Sequence, residues 1–198
     1  MLPRLALGAR MLASLLLAAA SSPTPAQVTA GCWYLNAGLG ALTPDKPWGA
    51  QGSGPLVGLD IGQLLAPSWS AELDLSDARL EDRSGASHSS LEGAALQGLR
   101  RFRADARFTP FVSLGAGAIH EAAGIGSRAG SRTEFMVQPG GGAVLRLMDG
   151  GGGSSGHLAL RADLKVRWTH GWAHAPGNPV DPLYTLGLTY FFAASSAR

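Results

Sequence analysis

Several stretches of this 198-residue chain alternate apolar and polar residues with a period of two. In the clearest stretch, residues 158–168, the even positions are all apolar, whereas four of the odd positions carry charged side chains: Arg161, Asp163, Lys165 and Arg167. A β-strand places successive residues on opposite faces, so this stretch is predicted to be a two-faced strand. Residues 69–76 and 184–192 alternate in the same way and give two further clear strands.

Five weaker stretches raise the predicted total to eight strands. Residues 33–40, 57–62 and 112–118 alternate over shorter distances, while residues 93–102 and 134–145 have ambiguous parity. Clusters of Gly, Pro, Ser and Asp separate the stretches, as is typical of turns. Beyond residue 32 no apolar run reaches the 18 or so residues of a transmembrane helix. The predicted connections alternate between long and short, which places all long loops on one rim.

The first 26 residues have the character of a removable leader. Arg4 and Arg10 precede an apolar run, residues 11–20, and a segment of small residues and proline ends at Ala26. This arrangement predicts a secretory signal peptide, cleaved after Ala26 or after Ala20. Without the leader, 16 minus 2 leaves 14 Lys and Arg against 14 Asp and Glu. The mature chain is therefore neutral and lacks the basic stripe that nucleic-acid binding requires.

The only cysteine, Cys32, excludes an intramolecular disulfide and any multi-cysteine metal site. Two small residues precede it, so lipid attachment to Cys32 stays open beside its interpretation as a small residue that opens the first strand.

The apolar faces are predicted to point outward, into lipid. Strands of about 9 to 11 residues cross a bilayer when tilted, and a closed barrel leaves no unpaired edge there. Large aromatic residues stand at the ends of the predicted strands, where the two membrane interfaces would lie. We expect Trp33, Trp69, Tyr190 and Phe192 at one interface and Trp168 and Tyr184 at the other.

The polar faces are then predicted to line a narrow lumen. Acidic residues of the early strands and basic residues of a late strand can pair across it, which offsets the cost of burying charge. An eight-stranded barrel has an interior that side chains just fill, so a wide pore is not expected. The predicted lumen network consists of Asp60, Glu72, Asp74, Arg161, Asp163, Lys165 and Arg167.

Four segments together resemble the N-terminal β-barrel of the outer membrane protein A family. They are WYLNAGLG with the following TPD (residues 33–40 and 43–45), TPFVSLGAG (109–117), LRADLKVRW (160–168) and LGLTYFF (186–192). The resemblance spans residues 31–192 and implies a bacterial outer membrane location, with phospholipid and lipopolysaccharide as neighbours. It also implies that the barrel-assembly machinery reads the aromatic pattern ending at Phe192. Only residues 193–198 follow, so we expect a short tail rather than a peptidoglycan-binding domain.

We therefore predict an all-β protein, an eight-stranded antiparallel up-and-down transmembrane β-barrel preceded by a cleavable signal peptide. It is expected to be a monomer with an anchoring and surface-interaction role, without cofactor, metal or enzymatic activity.

The sequence leaves three alternative functions open. The first is a lipid A deacylase, because the last third of the chain resembles such enzymes in having His170 followed by Asn178-Pro179. The deacylase pattern has a serine two residues after its histidine, but this chain has Trp172 there. Ser68 or the serines of residues 87–90 would then have to act as the nucleophile. The second is a soluble periplasmic carrier with its leucines inside. The third is a small ion-conducting pore.

Overall fold

The computed structural model describes residues 30–43, 53–81, 88–124, 130–148, 156–170 and 180–192. The predicted signal peptide and the tail, residues 193–198, lie outside the described residues. Within the described ranges there is no helix that combines the length and apolarity of a membrane span. The strands are β1 (Trp33–Leu42), β2 (Gly54–Ala66), β3 (Trp69–Glu81), β4 (His88–Arg101), β5 (Phe108–Gly124), β6 (Gly130–Met148), β7 (His157–His170) and β8 (Val180–Phe191).

The eight strands form one closed antiparallel barrel, which confirms the predicted fold class. Each strand pairs with its neighbour in the chain, and β8 pairs with β1 from Tyr34↔Phe191 to Leu42↔Leu183. The carbonyl of Trp33 accepts a hydrogen bond from the amide of Phe192 (2.8 Å) and completes the seam. We call the end of the barrel that contains Trp33, Phe192 and the connections 67–68 and 102–107 the turn rim. The opposite end is the loop rim.

The register of the strands fixes their tilt. The amide of Leu64 donates a hydrogen bond to the carbonyl of Cys32, and from this point a path of directly paired residues can be followed around the barrel. The path returns to β1 at Leu42, so it is displaced along β1 by 42 − 32 = 10 residues. For eight strands about 4.8 Å apart, this displacement tilts each strand by roughly 40° from the barrel axis. Each residue therefore adds about 2.5 Å of height. The path runs through Leu64, Ser70, Leu99, Ser113, Gly140, Lys165, Leu183 and Leu42.

The strands extend further toward the loop rim than the alternation predicts. Strand β4 begins at His88 rather than near residue 93, and β5 continues to Gly124. As a result, the predicted alternation of long and short connections is wrong in part. Residues 125–129 connect β5 to β6 at the loop rim, whereas the longer connection, residues 149–156, lies at the turn rim.

Pro139 lies inside β6 instead of ending it. Proline lacks the amide hydrogen that a ladder requires. Its pairing with Leu114 of β5 is retained, while the ladder to β7 is interrupted between Val137↔Trp168 and Gly140↔Lys165. One strand thus tolerates the proline by losing pairs on one side.

The apolar face of each strand points outward over the middle of the barrel, as the alternation predicts. Leu73 and Leu96 are exposed on adjacent strands, and Leu164 is 49% exposed. On β3 this order reverses toward the loop rim, because Asp77 points outward there and Leu80 is buried inside. The same inversion occurs on β4, where Glu92 points outward beside inward-facing Leu91. On these two strands the barrel is thus apolar outside at mid-height and apolar inside near the loop rim.

The interior is consequently layered rather than uniformly polar, which corrects one expectation. The layer near the loop rim is an apolar cluster, the middle layer is charged, and the layer at the turn rim contains Cys32, Tyr34, Leu64, Ala159 and Phe191. The apolar cluster comprises Leu42, Leu56, Ala78, Leu80, Leu91, Ala95, Ile119, Met136 and Leu183.

Close packing of β5 against β4 gives a test of this wall. A Cβ added at Gly117 would lie 2.0 Å from the carbonyl oxygen of Ala94, whereas one added at Gly98 of β4 meets no atom within 4 Å. We expect Gly117→Ala to lower the free energy of unfolding by about 1 to 3 kcal/mol, because the backbone must shift. Gly98→Ala is the matched control and should stay within about 0.5 kcal/mol. Urea titration in detergent measures both, and equal stabilities would contradict the close approach of β5 to β4 at Gly117.

Candidate functional site

The charged middle layer is assembled from strands on opposite walls. Strand β3 supplies Glu72 and Asp74, and β2 supplies Asp60. In a ring of eight, β7 lies four strands from β3 and therefore faces it across the lumen. Because all inward positions of β7 from 161 to 167 carry charged residues, cations meet carboxylates across the barrel. The structure thus brings most of the predicted lumen residues together.

Arg161 is the centre of this layer. Its guanidinium forms a two-pronged pair with Glu72, with Nη1···Oε2 and Nη2···Oε1 both 2.8 Å. It also donates from Nε to Asp163 Oδ2 (2.9 Å), and its Cζ lies 4.9 Å from the ring centroid of Phe111. Only 2% of Arg161 is exposed. A planar guanidinium suits such paired contacts, and losing either partner would strand a buried charge.

Lys165 forms the second cross-lumen pair. Its ammonium group donates to Asp74 and lies 3.8 Å from Asp60 Oδ1. Arg161 Nη1 also lies 3.8 Å from Asp60 Oδ2, so Asp60 stands between the two cations. The network therefore links β2, β3 and β7 into a single set of charges.

Uncharged side chains that sequence analysis did not single out complete the network. Tyr34 donates its hydroxyl to Glu72 Oε2 (2.7 Å), and Asn36 donates to Asp60 Oδ2 (2.7 Å). Gln97 donates to Glu72 and Asp74, and Gln138 donates to Asp74 (3.2 Å). The signal for them was their parity, since each stands on the inward face of its strand. Recognising it requires the register between strands, which no single strand reveals.

Arg167 lies apart from the other predicted lumen residues. It is fully buried, and its Nη2 donates to Ser76 Oγ (2.9 Å). No ion pair joins it to Glu72 or Asp74 among the described residues, while Nε and Nη1 have no hydrogen-bond partner there. Asp181 stands directly opposite it on β8. Arg167 is separate from the network because it lies two residues nearer the loop rim than Lys165, beside the apolar cluster.

The turn rim is closed by aromatic residues and one arginine. Arg101 stacks over Tyr34 and Phe191, with its Cζ 5.1 and 5.4 Å from the two ring centroids. The thiol of Cys32 is buried and donates to the carbonyl of Phe192 (2.6 Å). Burial raises the pKa of the Cys32 thiol. These contacts fit the interpretation of Cys32 as a small residue at the start of the first strand.

The predicted interface aromatics all point outward, but they do not form two level rings. Trp33, Trp69, Tyr190 and Phe192 gather near the turn rim, where Arg100 lies 5.7 Å from the centroid of Trp69. Trp168 lies near the loop rim opposite Val180. Tyr184 is opposite Leu164, four residues further down β7, so it stands nearer the middle of the barrel. The exposed Phe135, which sequence analysis did not single out, is opposite His170 near the loop rim, two residues beyond Trp168 on β7.

One candidate nucleophile, Ser68, is not brought near His170. Ser68 lies in the connection at the turn rim, while His170 ends β7 at the loop rim, so Ser68 is remote from that histidine. Asn178, Pro179 and Ser87 lie outside the described residues. His120 Nδ1 is 2.9 Å from Thr133 Oγ1 on the outer face, but the hydrogen bonds of the described residues include none from His120 to a carboxylate. Nor do three His, Cys, Asp or Glu side chains gather anywhere in this part of the chain as a metal site would require.

Comparison with solved structures confirms the fold. The N-terminal β-barrel domain of Pseudomonas aeruginosa OprF is 17% identical with a TM-score of 0.53, covering 83% of this chain and 100% of that one. Neisserial surface protein A (NspA) is 11% identical with a TM-score of 0.59, covering 79% of this chain and 95% of that one. Ail, the attachment invasion locus protein of Yersinia pestis, is 12% identical with a TM-score of 0.51, covering 83% and 100%.

At these identities the similarity concerns the fold alone. No protein-family model matches the sequence, and no curated protein sequence matches it. The predicted resemblance to eight-stranded outer membrane barrels is confirmed at the level of the barrel.

A double-mutant cycle tests the charged layer. Arg161→Leu should lower the free energy of unfolding by about 3 to 5 kcal/mol, because Glu72 then loses its cation while buried. Adding Glu72→Leu should restore part of that loss, since no unpaired carboxylate of this pair remains. Unfolding in urea with the barrel in detergent gives the three stabilities. Additive losses in the double variant would show that the two side chains do not interact.

Proposed function

We propose that this chain is a monomeric integral protein of the bacterial outer membrane, anchored by its outer face, with the loop rim turned to the exterior. The observation that carries this proposal is the outward apolar belt. On β7 the belt runs from Leu158 to Trp168, and ten residues at about 2.5 Å each span about 25 Å, the height of the apolar band on membrane barrels. A soluble carrier would place these leucines inside, so the belt argues against that alternative.

The change from apolar to charged residues along the outer face supports a limit to how far the barrel is inserted in the membrane. Between Leu75 and Asp77 on β3, and between Ala94 and Glu92 on β4, outward residues change from apolar to charged. Beyond that level the interior becomes leucine-rich, as in a barrel surrounded by water. The strands therefore leave the hydrocarbon region before they end and carry the loops above the bilayer.

The loop rim presents the connecting loops at the cell surface, and the lumen is closed. All three interior layers contain side chains that are almost wholly buried, among them Tyr34, Arg161 and Leu42. Their packing supports a lumen without a continuous water path. The aromatic residues at the end of β8, Tyr190 and Phe192, face outward at the turn rim, and we propose that the barrel-assembly machinery reads them.

Matched arginine substitutions on the outer face test membrane insertion. Leu164→Arg places a cation near mid-height of the belt and should cost about 2 to 4 kcal/mol in lipid vesicles. Thr133→Arg, also outward but above the level of inversion, should cost about 0 to 1 kcal/mol. Denaturant unfolding in vesicles gives both values. Equal costs, or recovery of the wild-type chain in the aqueous periplasmic fraction, would contradict the proposal.

Heat modifiability provides a direct check on the folded barrel. In detergent, the unboiled wild-type protein should migrate as a compact band that slows after boiling, because the closed hydrogen-bonded ring resists detergent at room temperature. A single band of unchanged mobility would count against a closed barrel.

Planar-bilayer recording tests the closed lumen. The wild-type protein should give no discrete conductance steps. A variant with both Glu72→Ala and Arg161→Ala removes the central bridge and should show measurable steps if it retains heat modifiability. Steady channels in the wild type would favour the small-pore alternative.

A further inference from the structure

The outer wall of the barrel contains a groove on β2 to β6, separate from the charged interior. Its volume is about 520 Å³. Its floor is formed by the small outward side chains of Ala94 and Ala118 and by the backbone at the inward-facing Gly58 and Gly93. Larger apolar residues flank the floor: Val57, Leu59 and Leu75. The groove thus offers a mainly apolar channel, with His120 and Thr133 at its end on β5 and β6.

The upper edge of the groove carries two carboxylates that face each other. Asp77 and Glu92 are directly paired across β3 and β4, and both point outward. Like charges in this arrangement destabilise a sheet. Among the described residues, neither carboxylate has a hydrogen bond or an ion pair, even though Arg79 lies two residues from Asp77 on the same face. The edge therefore presents two negative charges that no described cation neutralises.

The groove and its acidic edge lie at the level where the outer face changes polarity. Leu75 and Ala94 belong to the apolar belt, and the next outward residues toward the loop rim are Asp77 and Glu92. A lipid chain lying in the groove would therefore place its headgroup beside the two carboxylates. This geometry depends on the membrane insertion proposed above.

We propose that the groove binds one acyl chain of an outer-leaflet lipid whose headgroup carries an ammonium group, with the ammonium held by Asp77 and Glu92. Charge complementarity selects this occupant. A headgroup with only phosphate or carboxylate would meet like charges at the edge, whereas an ammonium relieves the repulsion between them. At the membrane boundary, where screening is weaker than in water, such an interaction favours the cation appreciably.

Matched single-chain probes test the selection by charge. The full chain, folded in a zwitterionic detergent, is titrated with hexadecylammonium or with hexadecyl sulfate, and bound probe is counted by native mass spectrometry. We expect the ammonium probe to bind roughly tenfold more tightly. Asp77→Asn combined with Glu92→Gln should abolish this preference and leave the weaker binding of both chains.

Matched variants test the groove itself. Ala118→Phe fills the floor and should remove most binding of the ammonium probe. Ala162→Phe adds the same ring at an exposed position of β7, away from the groove, and should leave binding unchanged. Equal binding of the two probes to the wild type, or equal binding by the two phenylalanine variants, would overturn the proposal.

Two further outcomes are informative. If magnesium chloride alone occupies the edge and the ammonium probe does not displace it, the carboxylates hold a metal ion and the lipid proposal fails. Each sample is first checked for heat modifiability, because absence of that property from the wild-type chain would count against the membrane barrel itself. A folded barrel without the preference contradicts only the groove.

Discussion

Closure of the sheet between β1 and β8 is the constraint on which the rest of the structure depends. Amide and carbonyl groups have no water to bind in hydrocarbon, so an open edge could not remain there. The pairing of β1 with β8 removes the edge and creates an interior only wide enough for side chains. Charged residues placed inside must then find partners across a short distance. The bidentate contact of Arg161 with Glu72 and the pairing of Lys165 with Asp74 meet this requirement.

In the proposed membrane setting the ring has two different surroundings along its height, and the sequences of β3 and β4 adapt to both. On β3, Leu73 faces outward and Glu72 inward in the belt, whereas Arg79 faces outward and Leu80 inward near the loop rim. Hydrophobic residues are thus directed away from water in each zone. The charged layer and the apolar cluster are consequences of a single rule applied to different neighbours.

Particular residues show how much of the fold and of the charged layer can be predicted from the sequence. The strict alternation of residues 158–168 was sufficient to identify β7 and its charged face, and the segregation of acidic residues early and basic residues late in the chain was sufficient to predict pairing across the lumen. Residues 93–102 were ambiguous because Arg100 and Arg101 are adjacent and lie on opposite faces: Arg100 points outward beside Trp69, whereas Arg101 points inward beside Tyr34. The partner of each cation depends on the ten-residue displacement of the ring, which is a property of all eight strands together. For the same reason the position of Arg167, outside the main network, could not be derived from its own strand.

The seam at the turn rim also constrains the order of events in biogenesis. Cys32 contacts Phe192, a partner 160 positions away in sequence, and Asn36 accepts a hydrogen bond from Thr189 across 153 positions. Contacts between such distant segments form slowly, because the intervening chain must first be confined. Until β8 emerges from the ribosome, β1 lacks one of its two neighbours. A nascent chain of this design therefore cannot complete its fold until its last strand has been synthesised.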